Sequence, residues 1–175
     1  MIRRGSLALN VYLAIFILGG MALLQSTVVP VLSIVGVKPS LVLLLVVAWS
    51  IVRGGADGAI WGFVGGLALD LFSGGPWGVS ILALTVVGLL AGLAEVNLSR
   101  NNLLFPTALT FGASLLYDLL CVAVLSLAGW RVPLLDTLLV TILPTAILNV
   151  LLSFAVLPLM IGLNRLVGGG RQLRW

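Results

Sequence analysis

Gly58-Ala59-Ile60-Trp61-Gly62-Phe63-Val64-Gly65-Gly66-Leu67-Ala68-Leu69-Asp70-Leu71-Phe72-Ser73-Gly74-Gly75-Pro76-Trp77-Gly78 decides how the chain folds. From Gly58 to Phe72 every residue but Asp70 is apolar or glycine, and the cluster Ser73 to Gly78 then breaks the run. No polar residue alternates with an apolar one, so the run suits a helix in lipid rather than a barrel strand. Gly58, Gly62 and Gly66 recur every fourth residue, on one face of that helix. Gly88 and Gly92 repeat the spacing in the next apolar run. In lipid no hydrophobic effect draws helices together, and such a glycine face instead lets a second backbone come close. The expectation is packing between neighbouring helices of this chain, with a groove for a partner's helix as the alternative.

The rest of the chain continues the pattern. Hydrophobic residues make up 61% and charged ones 8%, and the mean hydropathy is +1.29. A soluble domain carries roughly 25% charge. Apolar runs fall at about 7–24, 40–52, 58–72, 79–94, 103–127 and 134–163, separated by groups such as Gln25-Ser26-Thr27 with Pro30, Lys38-Pro39, Arg53-Gly54-Gly55 and Gly129-Trp130-Arg131. They predict an all-α polytopic membrane protein, one integral membrane domain over residues 1–175 with about six transmembrane helices. Runs two and three, at roughly 20 to 22 Å, fall short of a hydrocarbon core near 30 Å. Neighbouring helices must therefore wrap them, or Val31 to Val37 must extend the second as irregular backbone. Arg3 and Arg4 precede the first run without a convincing cleavage site behind it, so that run is expected to be a retained helix. The lone Cys121 lies within an apolar run and has no partner for an intramolecular disulfide.

Orientation follows from the basic residues, which concentrate on cytoplasmic flanks. With six spans and both termini inside, Arg3, Arg4, Arg53, Arg100, Arg165, Arg171 and Arg174 are cytoplasmic and only Lys38 and Arg131 lie outside. An odd number of spans would place the basic C-terminal tail outside, so the count is even: six, or four if runs two and three form one hairpin that does not cross. The net charge of +4 is scattered singly at span ends, which argues against a nucleic-acid partner.

Ionisable residues within spans are costly and need a partner. Asp70 and Asp118 fall roughly 18 and 22 Å from the inner ends of their spans at 1.5 Å per residue. The expectation is a polar layer near the outer face in which the carboxylates meet Lys38, Arg131, Tyr117 or backbone donors of the Ser73 to Gly78 loop, including Gly75, Pro76 and Gly78. That layer is either a partner or ligand site or a means of capping helix ends. Asn149, five residues after Pro144, is placed to satisfy a backbone carbonyl that the proline leaves free at a kink. Trp49, Trp61, Trp77, Trp130 and Trp175 include three at or near span ends, as interfacial anchors would be. There is no histidine, no Cys/Asp/Glu group with metal-ligand spacing and no Lys after Gly74-Gly75-Pro76. No catalytic residue, metal or cofactor is expected. An aspartyl intramembrane protease would use two facing carboxylates, but neither Asp70 nor Asp118 lies in a Gly-x-Gly-Asp setting.

Several patches, taken in order, resemble the rod shape-determining protein MreD family along nearly the whole chain. They are Leu24-Gln25-Ser26-Thr27 with Pro30, Val37-Lys38-Pro39-Ser40-Leu41, Arg53-Gly54, the Gly62 to Gly78 segment, and Pro144 with Asn149 and Pro158. The resemblance implies a non-catalytic scaffold of the bacterial cytoplasmic membrane. Its implied partner is a bitopic MreC-like protein, in a complex with MreB filaments, a RodA-type glycosyltransferase and a class B penicillin-binding transpeptidase that elongates rod-shaped cells. The family is also similar in fold to the substrate-binding components of energy-coupling-factor vitamin transporters, which gives a second expectation, solute binding. Against it, the first span lacks the Ala-x-x-x-Ala pair of such components: Leu18 stands four residues from both Ala14 and Ala22.

Overall fold

The computed structural model describes residues 4–27, 38–74, 76–94, 104–130 and 133–166. They form six helices and, among the described residues, no strand. These are α1 (Arg4–Thr27), α2 (Leu41–Arg53), α3 (Gly55–Ser73), α4 (Val79–Leu93), α5 (Leu104–Leu127) and α6. The last begins as one α-turn at Leu134–Thr137, widens to a π-turn at Leu138–Ile142 and continues as an α-helix over Leu143–Leu166. Two stretches, Phe105–Leu127 and Leu138–Arg165, are long and apolar enough to cross a membrane.

Helix α2 is the axis of the bundle. Its sequence is apolar on all sides, and every residue from Val42 to Val52 is buried, as befits a helix with no solvent or lipid face. It touches all five other helices, which follow one another around it in the order α1, α3, α4, α5, α6. With 13 residues it is about 20 Å long. It need not match the bilayer, because its neighbours cover it. The 28–37 segment, expected as a possible extension of this helix, lies outside the described residues.

The third run is longer than expected. Gly54 alone joins α2 to α3, with φ +99°, a conformation that glycine adopts without a Cβ penalty. Helix α3 therefore starts at Gly55 and takes Asp57 into its first turn, where a carboxylate suits the positive end of the helix dipole. Its 19 residues reach about 28 Å. The short helices are thus α2 and α4, the latter with 15 residues.

The two glycine rows face each other. A Cβ on Gly62 would strike the Leu84 carbonyl, one on Gly66 the Ser80 and Ile81 backbone, and one on Gly88 the Gly58 carbonyl. A Cβ on Gly92 would strike Gly54 and Gly55. Helix α3 packs more extensively on α4 than any other pair does. Deeper in, Ser50 of α2 approaches Gly58 and returns its hydroxyl to the Val46 carbonyl at 2.6 Å, so it presents no free donor to the core.

The exterior is apolar. Phe16, Leu82, Leu119, Leu139, Leu151 and Leu159 are all exposed, a distribution that water would penalise and lipid does not. At Pro144 the ring would clash with the carbonyl four residues back. The π-turn just before it relieves this, and the Leu143 N–H bonds to the Leu138 carbonyl instead.

Candidate functional site

Helix ends leave backbone N–H groups without partners, and lipid supplies none. Both short helices begin inside the bundle, and each receives its caps from another helix. Asp70, near the end of α3 and 3% exposed, accepts the N–H of Gly78 at 2.8 Å, of Ser80 at 3.1 Å and of Ile81 at 3.4 Å. Its charge is spread over the first turn of α4, where the helix dipole also favours it. The geometry depends on Gly78, whose φ of +95° turns its N–H toward the carboxylate.

At the start of α2 the same task falls to two amides. Gln25 of α1 accepts the Val42 N–H at 3.0 Å, and Asn149 of α6 accepts the Ser40 N–H at 3.0 Å. The Asn149 amide nitrogen then donates to Ser114 Oγ of α5 at 3.1 Å. Asn149 therefore does not repair its own helix after Pro144; it ties α2, α5 and α6 together at a fully buried point. Losing it leaves the Ser40 N–H and the Ser114 hydroxyl without this partner. Asn149→Leu is expected to cost about 2 kcal/mol, the range for an orphaned buried polar group. Thermal unfolding of Asn149→Leu, Ser114→Ala and the double variant checks this, since contacting residues couple; strictly additive losses would refute the contact.

The far end of α2 carries a second tie to α6. Arg53 Nε donates to Asn164 Oδ1 at 2.7 Å, and Nη1 stands 4.0 Å from Asp57 Oδ2. The guanidinium also lies 4.9 Å over the Trp49 ring, a cation–π arrangement. Trp49 in turn stacks on Trp61 with centroids 4.3 Å apart. Both tryptophans are fully buried; Trp77 and Trp130 are exposed, as interfacial anchors would be, and Trp175 lies outside the described residues. Asn164 and Gln25 were not among the expected site residues. No signal along the chain pointed to them, since the ties Ser40 to Asn149 and Arg53 to Asn164 join residues 109 and 111 positions apart.

Of the expected polar layer, Asp70 meets Gly78 of the α3 to α4 turn, and Asp118 is half-buried on α5. The Tyr117 hydroxyl lies beside the side chains of Ser80 and Cys121. Lys38 is exposed and forms no ion pair among the described residues, where the Arg53 and Asp57 contact is the one found. Pro76 is half-buried in the α3 to α4 turn. Gly75 and Arg131 lie outside the described residues. No group of three metal-ligating side chains occurs among the described residues.

These features define a helical membrane protein whose buried polar side chains hold helix ends and join helices. The chain belongs to the MreD family: the family model for rod shape-determining protein MreD matches residues 6–167. Membership associates it with the determination of rod shape. A comparison with curated proteins gives no match, and one with solved structures gives none.

Proposed function

We propose that this chain is a non-catalytic scaffold subunit of the cell-elongation complex of a rod-shaped bacterium, a six-span bundle of the cytoplasmic membrane with both termini inside. It binds a bitopic MreC-like protein and supports peptidoglycan synthesis by a RodA-type glycosyltransferase and a class B penicillin-binding transpeptidase. The family match over residues 6–167 carries this reading. The seven-against-two distribution of basic residues supports the orientation. It sets the Asp70, Tyr117 and Asp118 neighbourhood toward the outer face, where it serves as a candidate partner or ligand site. The solute-transport alternative gains nothing from α1, since Ala14, Leu18 and Ala22 are fully buried against the bundle and offer no docking stripe.

Depletion in a rod-shaped host is the test. Cells should round up within a few generations, and the tagged protein should co-purify with the MreC-like protein in mild detergent. Normal rods in a strain lacking this protein and any paralogue would refute the scaffold role.

A further inference from the structure

The ring of helices around α2 does not close. Each perimeter helix packs on the next from α1 through α3, α4 and α5 to α6, but α6 and α1 make no comparable contact. Between them runs a groove of about 710 Å³, walled by Ile17 and Met21 of α1 and by Pro158 and Gly162 of α6, with Leu45 of α2 as its floor. Almost all of its surface is apolar, and one cation, Arg165, stands at one end. Arg53, by contrast, is engaged with Asn164 and Trp49. Arg165 is exposed and has neither an acidic neighbour nor an acceptor among the described residues. Gly162 adds no side chain, and a Cβ there would meet nothing within 4 Å, so the groove remains open along α6.

We propose that this groove is a binding site for an anionic glycerophospholipid of the bilayer, with the acyl chains along Ile17, Met21, Leu45 and Gly162 and the phosphate on Arg165. A long apolar trough with a single positive charge at its mouth is complementary to an amphiphile with an anionic head. Basic residues at the edge of interhelical pockets hold such headgroups. A neutral or zwitterionic lipid would fill the trough but gain little from Arg165. Bound there, the lipid fills the gap that α1 and α6 leave between them.

The full-length protein, purified in detergent and titrated with phosphatidylglycerol or phosphatidylethanolamine of identical acyl chains, tests this by native mass spectrometry. The wild type should retain phosphatidylglycerol preferentially. Arg165→Gln should reduce that preference about fivefold, the factor for one basic residue near an anionic headgroup, and leave phosphatidylethanolamine retention unchanged. Gly162→Leu, whose Cβ would meet nothing within 4 Å and whose side chain would occupy the trough, should lower retention of both lipids. Lys38→Gln, at an exposed position ahead of α2, should alter neither. Equal retention of the two lipids by the wild type, or an Arg165→Gln profile identical to it, overturns the proposal. So does a Gly162→Leu variant that binds both lipids normally but loses a co-purifying membrane protein, which would make the groove a helix-docking surface.

Discussion

Gly62→Leu is expected to abolish accumulation of the folded protein, and Gly62→Ala to lower its stability by about 3 kcal/mol, at the upper end for overpacking a close contact. The obstruction is backbone. A Cβ at this position would meet the carbonyl of Leu84 and the Cα of Thr85, and neither can rotate away as a side chain would. Relief requires α3 and α4 to separate, which loosens the contacts of Gly58, Gly66 and Gly88 as well. In lipid those van der Waals contacts are the chief attraction between the helices. Gly112→Ala provides the control, because a Cβ on Gly112 of α5 has nothing within 4 Å. Detergent-solubilised variants heated and then passed over a sizing column report the difference. A shift on the order of 10 °C is expected for Gly62→Ala, from the usual scaling of stability to midpoint. A Gly62→Ala variant as heat-stable as Gly112→Ala would show that α3 and α4 do not approach this closely.

Asp70→Ala should cost a comparable amount, about 3 kcal/mol, since it leaves the N–H groups of Gly78, Ser80 and Ile81 without their acceptor at a site water barely reaches. Asp70→Asn should be milder, because one carboxyl oxygen survives while the other is replaced by an NH₂ group facing backbone donors. The geometry also bears on charge pairing. Since Asp70 meets backbone amides, exchanging charges between Asp70 and Lys38 should not rescue Asp70→Lys. Recovery of wild-type stability in Asp70→Lys with Lys38→Asp would mean that an ion pair, not the α4 cap, is the function of Asp70. Loss of the cap should first loosen the start of α4. Amide exchange at Ser80 and Ile81 is therefore expected to rise before the bundle unfolds as a whole.

Much of the fold was legible because lipid leaves few options for a backbone. Apolar runs between charged groups mark helices, and Gly58, Gly62 and Gly66 announce a close contact wherever their partner lies. Asp70 was also legible as a residue needing a partner, with the loop amides among the candidates. Other details were not. Nothing local marked Trp49 and Trp61 as a pair, yet they stack in the core because the Gly54 turn brings α2 and α3 together there. Asn149 was assigned to the helix containing Pro144, the nearest chain in sequence, whereas its partners are Ser40 and Ser114, far away along the chain. The start of α3 was placed after Asp57 because a charge reads as a loop. At a helix N-terminus it is instead a favourable first-turn residue.

The sequence by itself determined that this is a helical membrane protein, roughly where each helix lies, and that its glycines and buried carboxylates need close neighbours; composition and spacing are local quantities, and the solvent enforces them. Only the tertiary structure decided which neighbours those are. That α2 is the wrapped axis, that Gln25, Asp70 and Asn149 cap helices other than their own, and that α1 and α6 leave a groove all depend on which faces meet. That choice is made by packing between distant segments, and no run of adjacent residues contains it.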